Sequence, residues 1–243
     1  MNTNFSRRMI ALLGAMGLVL SAASMARAAD DGKVMLFNGT DLGGWKLRND
    51  KYPETWKAVG SVKIDPADPK NLIGEGEPAA DGALLRVKIE HGSDIITEKA
   101  LGDCELHMEF MVPKGSNSGV YLMGQYEVQV LDSFGKPANQ MGQGDVGAVY
   151  SVKGPSANPS KAPGEWQTMD IVFRAPRFDA AGKKTENAKF VSVKLNGTTV
   201  QENLEVPKST GGQLPGGEKA EGPLLFQGDH GIVAFKNVWY RPL

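Results

Sequence analysis

The chain has 243 residues, with 27 Lys and Arg against 28 Asp and Glu, so its formal net charge at pH 7 is −1. This balance gives no electrostatic reason to expect nucleic acid or an anionic membrane as a partner. The single cysteine, Cys104, excludes an internal disulfide, and its position in an apolar strand pattern predicts a small buried residue.

The first residues have the pattern of a secretory signal peptide. Arg7 and Arg8 precede an apolar run over residues 9–20, and small residues then lead to an A-x-A cleavage pattern. The predicted signal peptide therefore covers residues 1–28. The arginine pair also resembles a twin-arginine signal. We therefore expect export to the periplasm or the cell exterior, and we expect residues 29–243 to form a single domain.

Strand patterns separated by turn residues recur along the rest of the chain, whereas helical periodicity is hard to find. This predicts an all-β sandwich or jelly roll. The predicted strands cover residues 34–37, 59–64, 83–87, 94–97, 104–112, 119–123, 126–131, 148–152, 166–174, 190–195, 198–202, 222–227 and 233–240. Three Pro-, Gly- and Ser-rich segments, 153–164, 177–187 and 207–222, are predicted loops that either frame a binding site or decorate the sandwich.

Residues 117–133 carry the strongest functional pattern. Two alternating apolar runs joined at residues 124–125 predict a tight β-hairpin. The period of two sends the valines of the second run to one face and Glu127 and Gln129 to the other. Tyr121 from the first run joins that polar face. An acid, an amide and an aromatic ring are groups that bind sugars, although a solvated outer face would need no more than such polar residues.

Two of the histidines lie beside acidic residues. In the strand over residues 104–112, His107 shares a face with Glu105 and Glu109, which would suit either a solvent-exposed surface or a divalent cation site. His230 lies between Asp229 and a glycine where a strand gives way to a turn, so Asp229 could orient its imidazole. No Ser or Cys nucleophile motif, phosphate-binding glycine loop or Cys/His zinc spacing occurs.

Several segments together resemble the 3-keto-disaccharide hydrolase domain family of bacterial secreted proteins. These segments are residues 36–45, 117–122, 126–133, 147–150, 164–167, 193–197, 229–231 and 235–243, in order across about residues 34–243. The resemblance implies a concanavalin A-like jelly-roll sandwich acting on glycosides already oxidised at C3. A C3 ketone acidifies the C2 proton, so glycosidic cleavage becomes proton abstraction, elimination of the C1 oxygen and hydration. A separate oxidoreductase has to make such a substrate.

The resemblance also suggests roles in catalysis. Glu127 or His230 would act as the base, with the other residue donating a proton to the leaving oxygen. Gln129, Asn117 or a bound divalent cation would stabilise the enediolate.

Further roles concern binding and orientation. Tyr121 and Trp166 would stack on the sugar ring, and Asp132 and Asp229 would orient neighbouring groups. The candidate ligands for a divalent cation are Glu127, His230 and Glu109.

Two other functions stay open at this point. A conventional retaining glycosidase of the laminarinase type uses a Glu-x-Asp-x-x-Glu run, but here Gln129 replaces the middle acid and the shorter Asp132 replaces the last. Because retaining hydrolysis needs two carboxyl groups about 5 Å apart, this mechanism is disfavoured. A noncatalytic carbohydrate-binding module is the other alternative, since similar sandwiches bind sugars without cleaving them.

Overall fold

The structure is a computed structural model that describes Met1, residues 32–88 and residues 90–243. The predicted signal peptide over residues 1–28 lies outside this part of the chain, apart from Met1. Gly32–Leu243 form one compact unit. Within the described residues, no helix has the length and apolar character needed to cross a membrane.

Antiparallel strands make up the regular structure, together with short 3-10 turns at Pro53–Thr55 and Ala138–Gln140. The strands are β1 (Val34–Met35), β2 (Trp45–Leu47), β3 (Trp56–Val59), β4 (Ser61–Asp65), β5 (Asp68–Glu75), β6 (Ala83–Arg86), β7 (Ile95–Leu101), β8 (Cys104–Met111), β9 (Asn117–Leu122), β10 (Tyr126–Leu131), β11 (Gln167–Arg174), β12 (Arg177–Phe178), β13 (Lys184–Glu186), β14 (Ala188–Leu195), β15 (Thr198–Val206), β16 (Gly222–Phe226) and β17 (Ala234–Pro242).

Two sheets form the sandwich. The larger has the order β15-β14-β11-β8-β17-β6-β3, with β1 paired to β17, and the smaller has the order β10-β9-β16-β7-β2. Two ribbons, β4–β5 and β12–β13, lie outside these sheets. The predicted all-β, concanavalin A-like jelly-roll sandwich is confirmed.

The core lies between the two sheets and follows from strand alternation. In β8, Leu106, Met108 and Phe110 are buried while the residues between them are partly exposed. Across the sandwich, the rings of Phe226 in β16 and Phe235 in β17 stack with centroids 3.9 Å apart and an interplanar angle of 13°. Since β16 and β17 belong to different sheets, this aromatic pair joins the two layers.

Replacing Phe235 by Ala is expected to destabilise the fold by about 3–5 kcal/mol, because the ring is fully buried and its loss leaves a cavity. The free energy of unfolding in urea measures this effect. Phe134→Ala is a matched control, since that ring is 56% exposed and should contribute little. Equal losses for the two variants would contradict this view of the core.

Cys104 is buried, as predicted, and burial raises the pKa of its thiol to about 12. At neutral pH the side chain is therefore a protonated core residue rather than a nucleophile.

Several predicted elements differ from the structure. Residues 148–152 do not form a strand. Val149 makes isolated bridges and Ser151 has a φ of +58°, a left-handed conformation that ends extended pairing. The predicted strand 59–64 divides at Gly60 into β3 and β4. Sequence patterns also miss β2, the polar strand β5 and the β12–β13 ribbon, which lies in the predicted loop 177–187.

Candidate active site

A cavity of about 260 Å³ opens on the face of the β9–β10 hairpin that points away from the core. We refer to it as the Glu127 cavity. Its lining comes from the hairpin, from the loop after β10, from the loop before β16 and from the β16–β17 connection. The lining residues are Asn117, Tyr121, Glu127, Gln129, Tyr150, Gly211, Gly212, Gln227 and His230.

Strand register brings the hairpin's polar side chains together. Tyr121 pairs directly with Glu127, and Gly119 pairs with Gln129. Cross-strand partners in an antiparallel pair have neighbouring side chains on one face. The predicted hairpin is therefore confirmed, although its turn has three residues, 123–125, and begins one residue earlier than predicted, with Met123 and Gly124 both at positive φ.

The face that carries Glu127 is covered rather than open to solvent. Glu127 is only 3% exposed. A segment after β10 pairs along its edge, with the Tyr150 amide donating to the Glu127 carbonyl at 3.1 Å. Along the same edge, the Glu127 amide donates to Thr210 Oγ1 at 3.0 Å. Two loops thus shield a carboxylate that strand alternation alone would place at the surface.

Burial has a large effect on the Glu127 carboxyl. Desolvation raises its pKa from 4.5 to about 7, because the charged form loses hydration. A hydrogen bond from the Tyr121 hydroxyl and the charge of His230 lower the pKa, but their effects are smaller than that of burial. A carboxyl group with a pKa near 7 exchanges protons readily at neutral pH, as a general base must.

Gly119 leaves the space that the carboxylate occupies. A Cβ atom at this position would lie 2.1 Å from Glu127 Oε1 and 2.9 Å from its Cδ. Gly212 plays a similar part in the opposing loop, where a Cβ atom would lie 2.5 Å from the Tyr121 hydroxyl and φ is +78°. Both glycines allow backbone to approach the functional groups closely.

Amide side chains supply hydrogen-bonding groups to the cavity. Gln129 Nε2 donates to Asn117 Oδ1 at 2.8 Å, and Gln227 Nε2 donates to the Tyr121 hydroxyl at 3.4 Å. Gln129 Oε1 and Gln227 Oε1 are buried without a partner among the described residues. Because buried acceptors are normally satisfied, these two oxygens are available to accept hydrogen bonds from donors that enter the cavity, such as water or hydroxyl groups.

His230 lies at the cavity edge on the β16–β17 connection. Its Nδ1 donates to Asp229 Oδ1 at 2.5 Å, the orienting contact expected from the sequence. The two side chains are about half exposed. With Nδ1–H held by the carboxylate, Nε2 is the ring nitrogen left for proton exchange.

An ion pair between the buried Asp94 and the exposed Arg48 holds two of the cavity loops in place. Asp94 Oδ1 accepts from the Gly228 amide at 2.9 Å, and its Oδ2 pairs with Arg48 Nη1 at 2.9 Å. Arg48 Nη1 also donates to the Gly212 carbonyl at 3.2 Å. From the other side, Arg86 Nε donates to the Gly228 carbonyl at 2.9 Å. The loop that carries His230 is thus fixed relative to the loop over Tyr121.

Comparison with known proteins places this arrangement in a family. The family model for the 3-keto-alpha-glucoside-1,2-lyase-like domain matches residues 32–241. The chain belongs to this family. The Glu127 cavity is therefore the candidate active site of a 3-keto-alpha-glucoside-1,2-lyase-like domain.

Individual relatives agree with this assignment. The 3-keto-disaccharide hydrolase of Bacteroides thetaiotaomicron is 26% identical over 245 residues, covering 87% of this chain and 77% of the relative. A proposed glycosyl hydrolase from Parabacteroides distasonis ATCC 8503 superposes with a TM-score of 0.63 at 28% identity, covering 88% of this chain and 84% of that one. A second structure from the same organism superposes with a TM-score of 0.56 at 17% identity, covering 87% of this chain and 94% of that one. At this identity the similarity supports the fold alone. The chain is a carbohydrate hydrolase- or lyase-like domain.

Within this lyase-like domain, the structure brings together most of the predicted site residues. Asn117, Tyr121, Glu127, Gln129 and His230 all line the Glu127 cavity, and Asp229 contacts His230.

Two predicted substrate-binding residues lie elsewhere. Asp132 follows β10, where its carboxylate accepts from the Gly115 amide of the β8–β9 turn at 2.8 Å, and it does not line the cavity. Trp166 precedes β11 of the larger sheet, where Lys236 Nζ lies 4.5 Å from its ring centroid. It is therefore not placed to stack on a sugar in the Glu127 cavity.

The predicted cation ligand Glu109 is not brought together with Glu127 and His230. Glu109 belongs to β8 in the larger sheet, where its carboxylate lies 3.6 Å from Lys236 Nζ. Among the described residues, no group of three or more His, Cys, Asp and Glu side chains has metal-binding geometry. The set of Glu127, His230 and Glu109 does not fit a divalent cation in this structure.

Sequence patterns alone did not single out four of the lining residues. Tyr150 was not predicted as a site residue. Residues 147–150 belong to the family resemblance, but their pattern indicated only a strand and no functional group. Gln227 immediately precedes the Gly-Asp-His run, so its closeness to His230 was an available signal. Gly211 and Gly212 match an ordinary loop pattern, and their role follows only from their neighbours, the Tyr150 ring beside Gly211 and the Tyr121 hydroxyl beside Gly212.

Proposed function

We propose that this chain cleaves the glycosidic bond of 3-keto-glycosides or 3-keto-disaccharides by removal of the C2 proton, elimination and hydration. The observation that carries this proposal is Glu127, a carboxyl group with a pKa of about 7 inside a cavity with two unpartnered amide oxygens. Such a group is suited to a weak carbon acid, which a C3 ketone creates at C2.

Glu127 acts as the base. Its carboxylate takes the C2 proton, and the electrons of the broken C–H bond form the C2–C3 enediolate. The Tyr121 hydroxyl, which hydrogen-bonds the carboxylate, holds it in position. The amide NH₂ of Asn117, whose Oδ1 is already bonded to Gln129, donates to the developing enediolate oxygen.

His230 assists departure of the leaving group. As the enediolate collapses, a C1–C2 double bond forms and the C1–O bond breaks, with the proton for the leaving oxygen supplied from Nε2 of the imidazolium. Asp229 holds the imidazole in position through its contact with Nδ1. Water then adds: its hydroxyl bonds to C1 as its proton passes to His230 Nε2, Glu127 releases the C2 proton to solvent, and C2 takes up a solvent proton. This gives the 3-keto sugar, restores both residues and completes a net hydrolysis.

A conventional retaining hydrolysis finds less support. That mechanism needs a second carboxyl group about 5 Å from the first. Asp132, which would complete the laminarinase-like run, is occupied by the amides of Gly115 and Phe134 and does not line the cavity. Glu127 is the carboxylate in the cavity lining.

The proposal is tested by incubating purified protein with 3-keto-trehalose and, separately, with trehalose, with and without EDTA, and measuring released sugar. We expect cleavage of the oxidised disaccharide alone, unaffected by EDTA. Cleavage of both sugars would favour a conventional glycosidase. No cleavage of either, together with sugar binding, would favour a carbohydrate-binding module.

The pH dependence of kcat/KM should report the ionisation of the Glu127 carboxyl group. Because the base must be ionised and burial raises its pKa to about 7, the acidic limb of the profile should lie near pH 7. Below that value we expect about a tenfold loss per pH unit. Since the Tyr121 hydrogen bond lowers the pKa of Glu127, Tyr121→Phe should move this limb to higher pH. A limb near pH 4.5 in the wild type would contradict the assignment.

A further inference from the structure

A second depression lies beside the Glu127 cavity. It has a volume of about 680 Å³ and runs between residues 150–152 on one side and residues 207–213 on the other. We refer to it as the loop groove. It shares Tyr150 and Gly211 with the Glu127 cavity, so the two spaces are adjacent at these residues.

The first wall of the loop groove is fixed to the hairpin. The Tyr150 amide donates to the Glu127 carbonyl at 3.1 Å, which holds this wall directly against β10. Beyond Tyr150 the chain makes a tight turn through Ser151 at a φ of +58°, and the Val152 amide donates back to the Val149 carbonyl at 3.0 Å. A non-glycine residue held in this conformation is often part of a functional site.

The second wall is tied to the turn of the same hairpin. Ser209 Oγ donates to Gln125 Oε1 at 2.6 Å, and the Thr210 amide donates to the Gln125 carbonyl at 2.9 Å. The Leu214 amide donates to the Gly124 carbonyl at 2.8 Å. Because both walls are bonded to the strands that carry Glu127, the loop groove is preformed beside the candidate base.

Size and chemistry indicate what each space can hold. Pockets for organic ligands usually measure about 300–1,000 Å³, so the Glu127 cavity at about 260 Å³ suits one small ring. The loop groove is more than twice as large. Val152 and Pro207 give it apolar surface, Ser151 adds a hydroxyl, and Lys208 is the charged residue of its lining. This mixture suits an uncharged ring that carries hydroxyl groups.

We propose that the loop groove is the subsite for the leaving group. The 3-keto ring lies in the Glu127 cavity, the scissile C1–O bond lies beside Tyr150 and Gly211, and the departing alcohol lies in the loop groove. This inference rests on the proposed function and narrows its substrates to glycosides whose leaving alcohol is itself ring-sized, as in a second sugar. A glycoside with a methyl leaving group would leave the loop groove unfilled and gain no binding energy from it.

The test compares two substrates across matched variants. Lys208→Trp and Gln213→Trp each add a large side chain at an exposed position of the loop groove, whereas Lys183→Trp does so at an exposed position outside its lining. The substrates are 3-keto-trehalose and methyl 3-keto-α-glucoside. We expect the two groove variants to lower kcat/KM about tenfold or more for the disaccharide, mainly through KM, and less than about twofold for the methyl glycoside. The Lys183 variant should change neither value.

Each other outcome identifies which idea fails. If the wild type cleaves both substrates but the groove variants affect them equally, or affect neither, the loop groove is not the leaving-group subsite and the proposed function still stands. If the wild type cleaves neither substrate, the proposed function fails, and the subsite assignment fails with it. The second groove variant guards against a local folding defect in the first.

Discussion

Replacement of Glu127 by Gln is expected to lower kcat for a 3-keto-glycoside about 10³-fold while the fold and sugar binding are retained. The size of the loss follows from the usual contribution of a general base, about 10²–10⁴-fold. Gln has the same shape as Glu but cannot accept the C2 proton. Single-turnover kinetics and calorimetric binding of the same substrate would separate the two properties.

Glu109→Gln is the matched control for this substitution. It makes the same chemical change on the larger sheet, where Glu109 contacts Lys236 and Asn237, so activity should change less than twofold, a range of about 0.4 kcal/mol. A Glu127→Gln variant with wild-type turnover, or a Glu109→Gln variant with equal loss, would contradict the assignment of the base.

The same Glu127→Gln variant should also change stability in a pH-dependent way. The folded-state pKa of Glu127 is raised to about 7 from 4.5, so folding favours the protonated form. Its favourable contribution is complete below pH 4.5 and is lost as pH rises through 7. At pH 8 the wild type therefore carries a penalty of up to about 3 kcal/mol that the variant lacks.

Urea unfolding at pH 4 and pH 8 would measure this difference. We expect the variant to be more stable than the wild type at pH 8 and nearly equal to it at pH 4. The opposite sign would mean that Glu127 is stabilised as a carboxylate, which is incompatible with a raised pKa.

Replacement of Gly119 by Ala is expected to lower kcat/KM at least about 100-fold, although the residue carries no functional group. The added Cβ would overlap Glu127 Oε1, so the carboxylate has to move. Shifts of about 1 Å in a catalytic group can cost about 10²-fold in rate. Overpacking of this buried site should also destabilise the fold by about 1–3 kcal/mol.

Gly144→Ala provides the comparison for this variant. A Cβ atom there meets nothing within 4 Å, and the residue is exposed, so both activity and stability should stay close to wild type. If Gly119→Ala retained full activity, the close contact between strand β9 and the carboxylate would not matter for catalysis.

Strand alternation predicted much of the fold because it depends on neighbouring residues alone. The strand at residues 126–131 was predicted with its observed bounds, and the β8 prediction was one residue too long. The polar strand β5 was missed because it pairs only with β4 in a ribbon outside the sandwich, so few of its side chains need to be apolar. At residues 148–152, apolar composition predicted a strand, but the left-handed Ser151 turns the chain back instead.

For the site, sequence patterns worked where the residues share one hairpin. Tyr121, Glu127 and Gln129 lie on neighbouring strands joined by a three-residue turn, so local pairing fixes their common face. Glu109 and Trp166 were misplaced because residue type does not reveal which sheet a strand joins, and their strands enter the larger sheet.

The covering of Glu127 was a further feature that sequence patterns did not predict. It depends on the loop over residues 207–214, whose contacts with the hairpin join residues more than 80 positions apart. Composition marked this segment as a loop and left open whether it framed a site. Hydrogen bonds to Gln125 and Glu127 place it over the hairpin.

Removal of the C2 proton can be tested most directly by cleaving 3-keto-trehalose in D₂O and locating deuterium in the products by NMR. We expect the released 3-keto sugar to carry deuterium at C2 from the first turnovers, because hydration delivers a solvent-derived proton to that carbon. The same 3-keto sugar incubated alone for the same time corrects for spontaneous exchange. Products that keep the original C2 hydrogen, together with no kinetic isotope effect on cleavage of the C2-deuterated substrate, would contradict proton removal by Glu127 and indicate direct displacement at C1.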